Sequence, residues 1–228
     1  MFTPYNHPLN WYQYEVLSSV ELLTAYVADI ERQVAAGIAD YEANAEKVVI
    51  DEEHGQDAVR IVEVYKDLDN EGWHLPEIFV VYFPNLQRRS ALITLCSFFE
   101  HEIDKLCDRL QKQENLLVRF VDMAGKGVKR SAVYLEKVVG IDAGQDSPTW
   151  VAIKEIQKIR NLVVHANGRL VDHAKTRKKA EDAIVAKSPF LEGSTEVLLK
   201  DGYLSYALRT CDAYFKLLDQ GIQARYSA

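Results

Sequence analysis

The chain has 228 residues, of which 48% are hydrophobic and 27% are charged, a balance typical of globular proteins. A chain of this length can bury a core without disulfide bonds or a structural metal, and it suits one domain or one domain with an extension. The formal net charge of −7 argues against broad, non-specific binding to nucleic acid, so any such contact has to be local.

Cysteine usage and the amino-terminal sequence bear on cofactors and location. The three cysteines, Cys96, Cys107 and Cys211, are far apart and form no CxxC pair, so we predict neither a disulfide framework nor a cysteine zinc site. The first 15 residues lack the basic and apolar regions of a secretory signal, and no apolar run approaches the roughly 20 residues that span a bilayer. The sequence therefore predicts a cytoplasmic protein without a membrane partner.

The first third of the chain is predicted to be helical. Glycine and proline are sparse, and apolar residues recur at helical spacing from Trp11 to about Ala36, with a more polar helical stretch continuing toward Asp51. A turn at 52–57 precedes a short predicted helix. One face of that helix would carry Val59, Val62 and Tyr65. Residues 69–76 are predicted as a loop.

The conformation of residues 76–85 stays open, because "EIFVVYFPN" is a consecutive apolar run rich in strand-forming residues. A helix from Leu86 to Leu110 follows, with a continuous apolar stripe, and Pro84 can stand in its first turn. Residues 123–130 are predicted as a loop without the spacing of a phosphate-binding P-loop. A short helix over 131–139 and a second loop come next.

A helix that ends in "IQKIRNLVVHANGRL" (156–170) begins near Ser147, a plausible N-cap, and Pro148, a plausible first residue. Asn167-Gly168 is a helix stop signal. A last helix runs from about Leu204 to Ile222. Before it, "EVLLKDGY" can form a small β-hairpin near 196–203 that turns at Asp201-Gly202.

These elements predict an all-α protein. Four core helices of this length fit an up-and-down bundle over residues 85–228, with a helical extension over residues 1–84 leaning on it.

The helix around 156–170 carries unusual polar chemistry. Arg160 lies at the margin of its apolar face, while Asn161 and His165 are four residues apart and stack on an adjacent face. Arg160 and His165 are about 140° apart on an ideal helix, so only the length of arginine lets both reach one ligand. A guanidinium suits phosphate and an imidazole can move a proton, which together fit a phosphodiester. In the structural alternative, Arg160 pairs with a carboxylate of a neighbouring helix and His165 caps its own helix.

The segment "IRNLVVH" resembles the R-x(4–6)-H motif of the HEPN superfamily, in which asparagine commonly follows the arginine. The helix "ALITLCSFFEHEIDKLCDRL" (91–110) and the tail "VLLKDGYLSYALRTCDAYFKLL" (197–218) are similar to the acidic and closing helices of that family. The resemblance covers roughly residues 86–218. In some members a tyrosine stands two residues after the histidine and is modified by a partner nucleotidyltransferase. Asn167 occupies that position here, so the resemblance does not extend to that subtype.

The resemblance implies a homodimeric, metal-independent endoribonuclease of the toxin–antitoxin or phage-defence type. Arg160 and His165 of two protomers would form one composite site, with His165 moving protons, Arg160 clamping phosphate and Asn161 orienting the imidazole or the phosphate. The RNA 2′-hydroxyl would attack and leave a cyclic phosphate. The partners implied are RNA or a nucleotide, a second copy of the chain, and an antitoxin or another protein.

Two further groups of residues are candidates for the site. Glu100 and Glu102 are predicted as supporting acids for Arg160 or His165. No His, Cys or carboxylate cluster has convincing metal spacing, so neither a metal nor another cofactor is predicted. A basic cluster after the motif is either a solvated face or a local RNA-binding patch, and comprises Arg169, Lys175, Arg177, Lys178 and Lys179.

Three functions remain open on the sequence. The first is the HEPN-like endoribonuclease. The second is a non-catalytic HEPN module that binds nucleotide, RNA or a protein partner, and the third is a purely structural helical subunit. An intact Arg160–His165 pair favours the first, and the acidic net charge favours the other two.

Overall fold

The computed structural model describes residues 8–50, 60–172 and 176–227. Within these ranges six α-helices make up most of the structure: α1 (Leu17–Asn44), α2 (Phe83–Gln113), α3 (Gly127–Tyr134), α4 (Pro148–Ala166), α5 (Lys179–Lys187) and α6 (Tyr203–Tyr226). The same ranges contain five short strands: β1 (Glu46–Ile50), β2 (Arg60–Tyr65), β3 (Leu68–Asp69), β4 (Leu191–Glu192) and β5 (Leu198–Leu199). The mostly α-helical character predicted from the sequence is confirmed.

The four longest helices, α1, α2, α4 and α6, pack around one elongated core. Its two halves are adjoining clusters of buried apolar side chains, one around Phe99 and Phe215 and the other around Leu92 and Leu204. Along the chain, α1 and α4 pass from the first cluster to the second, whereas α2 and α6 pass from the second to the first. The four helices therefore alternate in direction, with α3 against one half and α5 against the other.

Two predicted helical segments in the first third are wrong. α1 runs through Gly37 to Asn44, but residues 46–50 do not continue it and instead pair antiparallel with residues 60–64. Both segments are rich in β-branched valine and isoleucine, which favour strands, and the helical spacing of Val62 and Tyr65 is a coincidence. The turn predicted at 52–57 lies outside the described residues, as does Val59.

Residues 77–82 belong to the segment whose conformation could not be decided from the sequence, and they are helical. Glu77–Tyr82 form a π-helical turn that continues directly into α2. Phe79 is buried against Tyr41 at the end of α1 and Tyr65 at the end of β2, with ring centroids 5.3 and 4.6 Å away. This aromatic packing outweighs the strand preference of the segment. The helix runs across residues 84 and 85, and the division into two domains there stays a prediction.

The hairpin predicted to turn at Asp201-Gly202 is also wrong. Leu198 and Leu199 pair antiparallel with Glu192 and Leu191, which precede them in the chain. Gly202 forms the N-cap of α6 instead, so the predicted turn is a helix start. Across the described ranges, no helix combines the length and the apolar character needed to cross a bilayer.

Candidate functional site

The helix α4 begins and ends where its sequence signals predict. The Ser147 side chain accepts a hydrogen bond from the backbone N–H of Trp150 at 3.0 Å, and Pro148 is the first helical residue. Asn167 closes the helix in a left-handed conformation with φ of 49°. These local features fix the position of the motif along the chain.

The two faces of α4 differ sharply in character. Its core face is buried and carries Trp150, Ile153, Ile156, Ile159, Leu162 and Val163. A stripe of four exposed polar residues lies on another face: Lys154, Lys158, Asn161 and His165. Their spacing of four, three and four residues places them above one another. His165 is therefore the last residue of a row of polar side chains that begins with two lysines.

Arg160 lies at the boundary between these faces and is half-buried. Its Nη1 donates to the Asn161 Oδ1 at 3.0 Å, so Asn161 holds the guanidinium. Its Nε is buried without a hydrogen-bond acceptor, and no carboxylate in the described part of the chain forms an ion pair with it. The alternative in which Arg160 serves a structural ion pair therefore finds no partner among those residues.

A cleft of about 480 Å³ opens between α4 and the first turn of α3. Arg160, Asn161 and His165 all line it, so the structure brings the three motif residues to one cavity. Four lysines line the same cavity: Lys126, Lys129, Lys154 and Lys158. We call this cavity the lysine cleft. Within the described ranges none of these four lysines has an ion-pair partner, in contrast to Lys105, Lys187 and Lys216.

Glu100 is the one carboxylate among the described residues that lines the lysine cleft. Burial raises its pKa above the ordinary glutamate value, the positive charge of Arg160 lowers it, and Asp104 raises it further. Its Oε1 would lie 3.3 Å from a Cβ at residue 127, where Gly127 has φ of 58°. Glycine at this position thus allows both the turn into α3 and the close approach of the carboxyl group.

Glu102, the other predicted supporting acid, does not line the cleft. It is buried, and its carboxylate bonds to the Nζ of Lys105 at 3.0 and 3.2 Å on the same helix. Of the two predicted acids, only Glu100 reaches the motif.

The predicted basic patch is divided by the structure. Arg169 and Lys178 line a second cleft of about 550 Å³, here called the 169–178 cleft, which His165 also borders. Arg177 is held by Asp182 through two hydrogen bonds of 2.9 and 2.5 Å, and this partner raises the pKa of the guanidinium. Lys179 is exposed at the start of α5 and lines neither cleft. Lys175 lies outside the described residues.

A buried arginine fixes the end of α4 that carries His165. Arg89 of α2 is only 3% exposed and donates to the carbonyl oxygens of Val197 at 2.6 Å and Asn167 at 3.3 Å. It also contacts the Glu196 carboxylate at 3.3 Å. The backbone N–H of Val197 donates in turn to the Gly168 carbonyl at 2.8 Å. The turn after His165 is thus tied both to α2 and to the strand segment before α6.

The arrangement is suited to holding and acting on an anion. Among the described residues, it provides four lysines and an arginine against one carboxyl group, and an exposed imidazole at the end of the row. Among the described residues, no group of three or more His, Cys, Asp or Glu side chains is arranged to hold a metal ion.

Sequence reasoning missed the four cleft lysines and Arg89. The spacing of Lys154 and Lys158 relative to Asn161 and His165 was a readable signal of a shared helix face. The packing of separate helices brings Lys126 and Lys129 to the cleft and Arg89 to the end of α4. No local sequence pattern predicts these positions.

Comparisons with known proteins identify no relative of this chain. A scan against models of known protein families finds no match, and searches of curated proteins and of solved structures find none either. The site is therefore interpreted from its own residues.

Proposed function

We propose that the protein is a HEPN-like, metal-independent endoribonuclease of the toxin or phage-defence type, which cleaves RNA as a homodimer. The observation that carries this proposal is the state of Arg160. A half-buried guanidinium with a buried, unbonded Nε and no ion-pair partner in the described chain borders the same cleft as an exposed histidine. Such a group has unused capacity for an anion, and its planar fork suits phosphate.

The reaction follows from the chemistry of these side chains. One His165 imidazole takes the proton of the RNA 2′-hydroxyl, whose oxygen then bonds to the adjacent phosphorus. The bond from phosphorus to the 5′-oxygen breaks, and the leaving oxygen takes a proton from the imidazolium of the second protomer. The products are a 2′,3′-cyclic phosphate and a free 5′-hydroxyl. Arg160 neutralises the charge on the non-bridging oxygens, and Asn161 keeps the guanidinium in place through the bond described above.

Cleavage of single-stranded RNA by the wild type and by His165→Ala, in buffer with EDTA, tests the proposal. Loss of a general acid–base group should lower the rate about 10²- to 10⁴-fold. The melting temperature should hardly change, because His165 is exposed. His101→Ala is the matched control, since His101 is also exposed but lines neither cleft. Equal cleavage by wild type and His165→Ala would refute the proposal, and loss of activity with EDTA would refute its metal independence.

The shared site is tested by mixing protomers. When His165→Ala chains exchange with wild-type chains, heterodimers contain one imidazole. Activity should then fall faster than the fraction of wild-type chains, because both imidazoles act in one site. A strictly proportional fall would mean that each protomer acts alone.

The second candidate is a non-catalytic module of the same type that binds RNA or a nucleotide. The four unpaired lysines favour it, because they can hold phosphate without any proton transfer. RNA that binds in the cleft but stays intact would support this candidate over the nuclease.

A further inference from the structure

We infer that the lysine cleft holds the sugar–phosphate backbone of single-stranded RNA on one side of the scissile phosphate; the identity of this ligand as RNA rests on the proposed function. The strand would lie along α4 from His165 toward Lys154, with Lys126 and Lys129 on the opposite wall. This assigns RNA binding to residues outside the basic cluster at 169–179.

The charge distribution is the first support. The chain carries 34 acidic and 27 basic side chains, yet the cleft collects four lysines and Arg160 around one carboxyl group. That carboxyl group is Glu100, whose raised pKa reflects burial in the wall. All four lysines are exposed, and they have no ion-pair partner within the described residues. Unpaired positive charges in a cleft of an acidic protein concentrate an anionic ligand there.

Geometry is the second support. Lys154, Lys158, Asn161 and His165 follow one face of α4. Eleven residues separate the first from the last, which is about 16 Å along the helix axis. Lys154 and Lys158 therefore lie in a row that ends at the imidazole, as a strand passing through the catalytic position requires.

The size and lining of the cleft indicate the form of the ligand. A volume of about 480 Å³ falls within the range of small-ligand pockets, so it admits a few nucleotides of a single strand and not a duplex. The aromatic residue in its lining is Trp150, which is 3% exposed and stacks on Tyr214 at 5.2 Å between ring centroids. Among the described residues, the cleft therefore offers no exposed Trp, Tyr or Phe ring beside the imidazole of His165, so binding should depend mainly on phosphate and little on sequence.

Binding of a labelled, single-stranded 2′-O-methyl RNA of about 12 nucleotides tests the inference, because this probe lacks the nucleophile and stays intact. Four lysine–phosphate contacts should contribute about −2.8 to the slope of log affinity against log salt, in addition to the contribution of Arg160. Lys154→Ala with Lys158→Ala should make this slope shallower by about 1.4, which weakens binding about 25-fold at 0.1 M salt when the two proteins bind equally at 1 M salt. Both lysines are exposed, so the fold should be unaffected.

Two control variants separate local contact from net charge. Lys47→Ala with Lys112→Ala removes the same charge from exposed sites remote from the cleft and should leave the slope unchanged. Lys154→Arg with Lys158→Arg keeps the charge and should keep the binding. The inference is overturned if the cleft variant binds like wild type, if the remote variant loses as much affinity, or if duplex RNA binds as tightly as the single strand.

The outcomes for this cleft and for the nuclease are distinguishable. Lysine-dependent binding by a protein that cleaves no RNA would refute the nuclease and support the cleft. Cleavage that requires His165 but ignores Lys154 and Lys158 would refute the cleft and support the nuclease. If both hold, the cleft variant should raise KM and leave kcat nearly unchanged, because the lysines bind substrate and transition state alike.

Discussion

Replacing Gly168 with alanine should destabilise the turn that follows His165 through a contact with the buried Arg89. Gly168 has φ of 76°, and an added Cβ would lie 2.3 Å from Nη2 and 2.8 Å from Cζ of Arg89. The guanidinium has no room to move without breaking its 2.6 Å bond to the Val197 carbonyl, since the side chain is 4% exposed. Asn167, whose carbonyl the same guanidinium contacts, would shift with it.

Two costs combine in this variant. Placing an L-residue in the left-handed region costs about 1 kcal/mol. Displacing Arg89 breaks a buried hydrogen bond to a charged group, which contributes about 1.5–3 kcal/mol. The free energy of unfolding should therefore fall by roughly 2.5–4 kcal/mol, a large fraction of the stability of a typical domain.

Urea unfolding of a double-mutant cycle measures the two costs separately. In an Arg89→Leu background the steric conflict is absent, so Gly168→Ala should cost only about 1 kcal/mol there. Asn167→Gly is the neighbouring control: Asn167 also has positive φ, and glycine should be tolerated at this position. The reasoning fails if Gly168→Ala costs the same with and without Arg89, or if it costs less than about 1 kcal/mol in the wild type.

Two other predictions concern ionisable groups. Burial raises the pKa of Glu100 in the folded protein, so as pH rises this carboxyl group ionises in the unfolded chain before it does in the folded one. The free energy of unfolding of the wild type should therefore fall, relative to that of Glu100→Gln, as pH rises above the ordinary glutamate pKa. Urea unfolding of both proteins at pH 4 and pH 7 checks this, and a variant that loses relative stability at the higher pH would contradict it. Burial also raises the pKa of the Cys96 thiol to about 12 and those of Cys107 and Cys211 above their ordinary value. Native protein at pH 8 should thus resist Ellman's reagent and react at three thiols only after denaturation, whereas a fast-reacting thiol in native protein would argue against burial.

The parts of the fold that the sequence predicted well are those governed by local rules. Ser147, Pro148 and Asn167 set the ends of α4 through interactions within one turn of the helix. The strands β1 and β2 were not predicted because each forms only by hydrogen bonding to the other. Val48 lies opposite Val62, a pairing between two separate segments that the pattern within either segment does not indicate. The segment Glu77–Tyr82 adopts a helix against its strand preference because Phe79 reaches an aromatic cluster built from distant residues.

The candidate site divides in the same way. Arg160, Asn161 and His165 were found because they are close in sequence on one helix. The prediction that positive charge near the site comes from residues 169–179 followed their proximity in the sequence. Arg169 and Lys178 do line a cleft that His165 borders, but sequence proximity does not show which basic groups an acidic neighbour neutralises. Arg177 is bonded to Asp182, whereas Lys126 reaches the cleft from the N-cap position of α3, far from the motif in the sequence. Only the packing of α3 against the bundle brings that lysine to the cleft.

The aromatic cluster at the far end of α1 is separate from the core of the helical bundle, so the two parts should unfold as cooperative units of unequal stability. Tyr41, Tyr65, Leu75 and Phe79 form a small core that shares no residue with the two clusters of the bundle. Because this buried core is small, we expect this end to have a low opening free energy and the three-stranded sheet to detach while the bundle stays folded. Amide protons of the sheet should then exchange with solvent well before those of α4 and α6. Sequence changes in the sheet can accumulate at little cost to the geometry around His165.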